Sequence, residues 1–523
     1  MRIKNFSVIL QRNKTKFITM ATPAEKLAQS LSVLRQFQQN KASFVVRSAD
    51  ISRTHLERLV ANGFLAKVIN GWYIVSNPSS RTGDTTDWYI SYWDFIAAYT
   101  RDKLGEDWSL TAESSLDVLT GNWRVSPQVI VRSPKCQNTI VNLLFGCSIF
   151  FLKADCASKP VKESRYGLNV YGIPEALVMA SPAFFQNDKI TARAALATIR
   201  NASEVLPFLL DNGRSVRAGR LIGAFNNVKM PMIADDIKAT MERLDYVIRE
   251  EDPFAESVDF VRDVSPYATR IRLMWQNMRA NVLAAKPNVT VSMDVESYLF
   301  DVDERYKQDA YHSLSIEGYK VSEELIEKVR LGLWNPEKNE TDKDDRNALA
   351  ARGYWQSFQE VRKSIRSILE GKNAGEIVEK DHRNWYREMF APCVMAGIIK
   401  PTDLAGYRSG QVYIKNSMHT PLNPEVVRDA MPVLFDLLKT ETDAWVRAVL
   451  GHFLFTFIHP YMDGNGRMGR FLMNTMLASG GYRWTIVPQN IRNEYMTSLE
   501  KASVNEDIKD FAALMSKLVN ERN

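Results

Sequence analysis

The chain of 523 residues reads as a multidomain α+β protein, with a winged helix-turn-helix at its N-terminus, a mixed α/β middle and a helical C-terminal half. Three observations predict this. Residues 22–77 run from apolar residues at helical spacing into two β-forming runs around Asn70-Gly71. The middle mixes apolar runs such as Val129-Ile130-Val131 and Ile149-Phe150-Phe151-Leu152 with helical stretches from Ile190 onward. Asp443 to Ile458 is apolar on nearly every face, as a helix buried in a core is. The length suits about three or four domains. The expected divisions are a basic disordered arm over 1–21, the winged helix over 22–80, the mixed α/β domain over 81–255 and a C-terminal region over 256–523.

The arm carries Arg2, Lys4, Arg12, Lys14 and Lys16 and no acid, and its apolar stretch Phe6 to Leu10 is too short for a secretory leader. It reads as a disordered arm, or as an upstream extension of a chain that begins at Met20. In the next segment, Pro23 to Gln39 has Leu27, Leu31, Leu34 and Phe37 at helical spacing, and Ser52 caps a further helix that ends near Asn62-Gly63. Phe64 to Ile69 and Trp72 to Val75 then flank a two-residue hairpin turn. On a winged helix Arg53, Thr54, His55 and Arg58 would lie on the outward side of the recognition helix and Lys67 at the wing, facing DNA or a docked protein.

Composition narrows the function classes. Hydrophobic residues at 45% and charged residues at 24% are ordinary for a globular protein. No run approaches the roughly eighteen apolar residues of a membrane span. A net charge of +6 is too diffuse over this length to imply nucleic acid. Cys136, Cys147, Cys156 and Cys393 lack the paired spacing of a zinc site or disulfide framework, so reduced thiols and a cytoplasmic setting are expected. Asn335 to Asn347, rich in both charge signs, reads as a solvated connection.

The chemistry concentrates in His459-Pro460-Tyr461-Met462-Asp463-Gly464-Asn465-Gly466-Arg467-Met468-Gly469-Arg470. Pro460 favours a break after the apolar helix, and Gly464 and Gly466 permit a tight turn. A new helix then runs from about Gly466, with Phe471, Leu472, Met473, Met476 and Leu477 as its stripe and Gly480-Gly481 as its stop. Such a helix start presents unpaired N–H groups and positive potential to a phosphate. Arg467 and Arg470, three apart, share a face and can fork onto phosphate oxygens. Asp463 is a hard ligand of the kind magnesium takes alongside phosphates, and His459, with an ordinary pKa near ~6.5, can act as a base. A lone His before Pro, a Gly-Asn-Gly turn and two arginines on a helix are each commonplace; their coincidence within one short run is not. His452, one heptad earlier, has no ligand cluster around it and reads as a hydrogen-bonded core histidine.

This run resembles the signature of the Fic family, H-P-F-x-[D/E]-G-N-G-R-x-x-R, with Tyr461 in place of the usual Phe. The resemblance extends over roughly 290–515 and implies an all-helical Fic domain that transfers AMP from ATP to a protein hydroxyl. By it His459 is the base, Asp463 the Mg2+ ligand, Gly464, Asn465 and Gly466 surround the phosphates, and Arg467 and Arg470 meet the outer phosphates. Ser313-Leu314-Ser315-Ile316-Glu317-Gly318 resembles the family's inhibitory motif, on a helix expected over about 304–318. It implies that Glu317 pairs with Arg470 and keeps it from the γ-phosphate. Residues 406–417 alternate β-formers and resemble the Fic flap, a β-hairpin that would lay Ile414, Lys415, Asn416 and Ser417 against the nucleotide. Arg492-Asn493-Glu494-Tyr495 resembles the family's R-x-x-Y, placing Tyr495 near adenine, with Ser503 as a further polar contact in some relatives. The N-terminal region resembles AbiEi-type antitoxins and related regulators.

The reading that follows is a cytoplasmic protein adenylyltransferase with Mg2+ and ATP, restrained by Glu317, acting on a Ser, Thr or Tyr of a protein target and on itself. Homodimerisation and DNA binding through the winged helix are open to it. Removal of AMP by the same site, or a DNA-binding regulator whose Fic half senses nucleotide, are the alternatives.

Overall fold

The computed structural model describes residues 22–41, 43–80, 83–254, 256, 258, 260–334 and 346–521. The basic arm over 1–21 and most of the charged connection, 335–345, lie outside the described residues. The fold is mostly helical with small sheets and divides into two compact units, Met1–Phe95 and Ile96–Asn523.

In the first unit α1 (Pro23–Lys41) and α2 (Arg53–Ala61) accompany an antiparallel sheet of β1 (Val45–Arg47), β2 (Leu65–Ile69) and β3 (Trp72–Val75), in the order β1-β3-β2. The expected hairpin forms, with Gly71 at φ +80° in its turn. Strand β1 was not anticipated, because three residues are too few to show an alternation. Leu34, Val46, Ile51, Leu56, Leu59 and Leu65 make the core. Two side chains expected to face outward do not. His55 Nδ1 bonds Ser30 Oγ at 2.9 Å, and Arg58 donates to Lys26 O and Ser30 Oγ, both at 2.9 Å. They flank the Leu56–Leu59 stripe of α2, so the packing that buries the stripe also carries them onto α1. Arg53, Thr54 and Lys67 are exposed as expected.

The second unit carries a four-stranded mixed sheet, β4 (Ser109–Leu110), β5 (Gln128–Ser133), β6 (Thr139–Asn142) and β7 (Ser148–Lys153), ordered β4-β5-β7-β6. The anticipated strands are β5 and β7, which pair in parallel with Val129 opposite Ile149. Helices begin well before the expected Ile190: Thr86–Leu104 and Ala112–Leu119 precede β5, and Ile173–Met179, Pro182–Asn187 and Lys189–Leu196 are short, and short helices carry little periodic signal. From Pro266 onward every regular element among the described residues is helical. One core runs from Ala112 to Val519 and joins the helices of the mixed region to the helical half, while the buried sheet residues Val129, Val131, Ile149 and Phe151 lie outside it. The helix Val295–Ile316, capped by Asp294, starts nine residues before the expected position.

One element is absent where a hairpin was expected. Residues 406–417 contain no strand; they form an irregular stretch with a turn in which Ser417 N donates to Ile414 O at 3.2 Å. The buried Arg408 side chain reaches inward to main-chain carbonyls at Gly410, Leu422 and His459, drawing the segment out of a ladder geometry.

Candidate active site

The helix Ala444–Ile458 ends at His459, whose backbone is left-handed at φ +56°, ψ 61°. That conformation is uncommon for a residue with a side chain, and Pro460 blocks the alternative of continuing the helix. Several bonds hold it. His459 N donates to Phe455 O at 3.0 Å, and its carbonyl accepts from Arg408 Nε at 2.7 Å. Nδ1 lies 3.0 Å from Thr456 O, which assigns the proton to Nδ1 and leaves the Nε2 lone pair to receive one. Burial drives the imidazole pKa down to about 4, so the ring is neutral at cellular pH and already in the form a base requires.

The next helix, Asn465–Ala478, is preceded by Gly464 at φ +77°. Asn465 braces the turn: its Nδ2 donates to Tyr461 O at 2.8 Å and its Oδ1 accepts from Tyr461 N at 2.9 Å. The amide expected among the phosphates is therefore occupied in shaping the loop. Tyr461 does what the usual Phe would do, stacking on Tyr386 at a centroid distance of 3.7 Å and 8° between planes. Asp463 is exposed at the mouth of the loop; its Oδ1 accepts from Gly464 N at 2.6 Å.

The two arginines are buried, at 1% and 2% exposure for Arg467 and Arg470. Arg470 Nε donates to Ser313 Oγ at 2.9 Å, and its Nη2 donates to Ser313 O at 3.0 Å and to Glu317 Oε1 at 2.9 Å. Burial by itself would raise the Glu317 carboxyl, but Arg470 and Arg467 hold it below the ordinary carboxylate range. A Cβ on Gly466 would meet Glu317 Oε1 at 2.3 Å, so only glycine lets this carboxylate approach the helix start. Glu317 itself caps Val295–Ile316, with Gly318 at φ +89° beyond it, the helix stop expected there.

Three buried nitrogens, Arg467 Nε, Arg467 Nη2 and Arg470 Nη1, have no hydrogen-bond partner among the described residues. Buried charged donors without acceptors are costly. Set beside the free N–H groups of a helix's first turn, they fit an anion with several oxygens, and the nearby exposed Asp463 fits an Mg2+ whose other ligands come from phosphates and water. The described residues hold no group of three or more acidic, His or Cys side chains able to make a metal cage.

Other expected contacts fall elsewhere. Tyr495 is buried, and its hydroxyl bonds His452 Nε2 at 2.7 Å. His452 is the core histidine anticipated. Ser417 Oγ bonds Glu500 Oε2, while Lys415 and Asn416 are exposed and Ile414 and Ser503 half-buried. Arg492 of the R-x-x-Y run donates from Nε to Ile316 O at 2.8 Å, and residues without a sequence signal also take part: Arg408, the brace of His459, and Tyr319 and Phe390, whose rings lie 5.3 and 5.2 Å from the Arg467 guanidinium. Their contacts join segments too far apart in sequence for any local pattern to reveal.

Residues 378–477 match the family model described as Fic/DOC family. Protein adenylyltransferase fic-1 of Caenorhabditis elegans is 32% identical over 125 residues, 23% of this chain and 24% of the relative. A protein adenylyltransferase Fic of Drosophila willistoni is 28% identical over 220 residues, covering 41% and 40%. A probable protein adenylyltransferase of Aquifex aeolicus is 29% identical over 198 residues, covering 38% and 54%. The chain thus spans between about a quarter and about half the length of these curated relatives. The solved Fic-1 (aa134 - 508) of C. elegans aligns over 67% of this chain and 89% of its own, with 18% identity and a TM-score of 0.35. The chain carries a Fic domain, and protein adenylyltransferases are among its relatives.

Proposed function

We propose that the chain is a protein adenylyltransferase that moves AMP from magnesium-bound ATP to a Ser, Thr or Tyr hydroxyl of a protein and is restrained at rest by Glu317. The observation that carries this reading is the set of buried guanidinium nitrogens of Arg467 and Arg470 that make no hydrogen bond among the described residues, at a helix start beside a neutral histidine. His459 Nε2 takes the proton of the incoming hydroxyl. Its oxygen then bonds the α-phosphorus as the bond to the pyrophosphate oxygen breaks. Arg467 and Arg470 grip the outer phosphates with charge-assisted hydrogen bonds. Asp463 would hold Mg2+, which when bound neutralises phosphate charge. Glu317 competes for the same helix start and for Arg470, so the resting arrangement opposes a productive triphosphate pose.

The test is incubation of the purified chain with each of four labelled triphosphates and Mg2+, wild type beside E317G. Label from ATP on protein, stronger in E317G, is the expected result. No labelled protein in either form, with any nucleotide, would overturn the reading.

The order helix, strand, helix, hairpin in the Met1–Phe95 unit supports a winged helix, and with it kinship to AbiEi-type regulators. With His55 and Arg58 engaged on α1, DNA contact would rest on Arg53, Thr54 and Lys67 alone, which favours protein docking over DNA for this unit. Salt-dependent binding to duplex DNA would reverse that preference. No helix among the described residues is long and apolar enough to cross a membrane, and a cytoplasmic site of action accords with the four free cysteines.

A further inference from the structure

We infer that Tyr319 is a positioning residue for the nucleotide, the second arm of the device that carries Glu317. The inference rests on the adenylyltransferase reading and deepens it.

The turn after the helix Val295–Ile316 is closed by two bonds. Gly318 N donates to Ser315 O at 3.0 Å, and Tyr319 N donates to Leu314 O at 3.1 Å. With Gly318 in the left-handed region these are the paired bonds of a Schellman motif, which fixes the residues on either side of the glycine relative to the helix end and to each other. No atom lies within 4 Å of a Cβ built on Gly318, so its glycine answers the backbone conformation and not crowding. Lys320 N donates to Asn347 Oδ1 at 2.9 Å and ties the turn to the helix Arg346–Leu369.

The two residues flanking Gly318 meet the two signature arginines. Glu317 binds Arg470, and the ring of Tyr319 lies 5.3 Å from the guanidinium of Arg467, whose other aromatic neighbour is Phe390 at 5.2 Å. These contacts differ in what they consume. Glu317 occupies a donor nitrogen of Arg470, whereas aromatic faces attract a guanidinium without accepting its N–H groups in ordinary hydrogen bonds. Arg467 is accordingly buried at 1% exposure with Nε and Nη2 making no hydrogen bond among the described residues, Nη2 lying 3.7 Å from the exposed Asp463 carboxylate in a longer ion pair. Contact with the Tyr319 and Phe390 rings holds the guanidinium in place, yet leaves its hydrogen-bonding capacity for a phosphate. One rigid turn thus withholds one arginine and presents the other, and the nucleotide affinity of the unrestrained enzyme should depend on the Tyr319 ring.

The experiment measures Mg-ATP affinity by calorimetry, and separately KM and kcat for AMP incorporation, in full-length E317G and in E317G combined with Y319F, Y319L or Y319A. Melting temperatures identify any variant that fails to fold. Y319A and Y319L should weaken ATP binding about threefold to tenfold and raise KM by a similar factor with kcat nearly unchanged; Y319F, which keeps the ring, should restore affinity to within about twofold of E317G. A folded Y319L that binds ATP as tightly as E317G, or loss in Y319F equal to that in Y319A, overturns the role of the ring while leaving adenylyl transfer intact. An E317G parent that binds ATP but transfers nothing, with the Y319 series still graded, would remove the enzymatic reading and keep the positioning role.

Discussion

The helices Arg53–Ala61 and Asn465–Ala478 both carry two arginines in their first two turns, and they use them in opposite ways. At the start of α2, Arg53 is 90% exposed and pairs with Glu57 at 2.7 Å, and Arg58 satisfies itself on the main chain and a hydroxyl of α1. At the start of Asn465–Ala478, Arg467 and Arg470 are buried and retain nitrogens that make no hydrogen bond among the described residues. The residue type is the same in both places, with a spacing of five in the first and three in the second. What separates a binding site from a surface is that burial has removed water from the second pair and the protein has not replaced it. The histidines follow the same contrast. His55 sits on a half-exposed helix face, whereas His459 is held neutral by burial in a loop where each of its backbone polar groups is bonded.

The sharpest way to break the comparison is at the base. H459A should lower AMP transfer by about a hundredfold to ten-thousandfold while leaving Mg-ATP binding intact, since the imidazole acts on the hydroxyl proton and not on the phosphates. Calorimetry alongside a labelling assay checks both halves, and transfer at the wild-type rate would refute the assignment.

Acid should act next most strongly, and through the fold. Burial pushes His382, His419 and His459 down to about 4 and His452 down to about 3. The unfolded chain then binds protons near pH 6.5 that the folded chain refuses, so stability is fully present above about pH 6.5 and falls as pH drops toward 4. Each unit of pH in that window costs about 1.4 kcal/mol per histidine. A melting temperature that holds steady between pH 6.5 and 4.5 would contradict the picture of four neutral buried rings.

A direct contrast of the two helix starts comes from R467A and R53A. Removing a buried guanidinium that awaits phosphate should cost about 1.5–3 kcal/mol of Mg-ATP affinity in the E317G background, read by calorimetry. Removing exposed Arg53 should leave the melting temperature nearly unchanged. R58A lies between, at about 1 kcal/mol of stability, because it strips hydrogen bonds from Lys26 O and Ser30 without touching the nucleotide. Equal effects of R53A and R58A on the melting temperature would show that exposure, as seen here, does not sort these arginines.

Legibility in sequence followed the range of the interactions. The buried helix ending at His459, the turn at Gly464, the hairpin at Asn70-Gly71 and the stop at Gly318 were all readable, because each depends on neighbours within a few positions. The pairing of Glu317 with Arg470 came from resemblance to a motif, and the geometry agrees with it at 2.9 Å. The stretch 406–417 misled because its alternation is local while Arg408, which draws it inward, acts on carbonyls at His459 and Leu422. The bond between the Tyr495 hydroxyl and His452 on a different helix was likewise beyond any local pattern.

By itself, the sequence determined which groups could do phosphate chemistry and the local turn that sets them at a helix mouth, since backbone conformation there answers to Pro and Gly in the immediate run. Only the tertiary structure decided which of those groups are already spent. Arg470 meets Ser313 across 157 positions and Glu317 across 153, and Arg467 is left with open nitrogens between two rings. Saturation of a buried donor depends on every segment that packs against it, and no local pattern of residues encodes that.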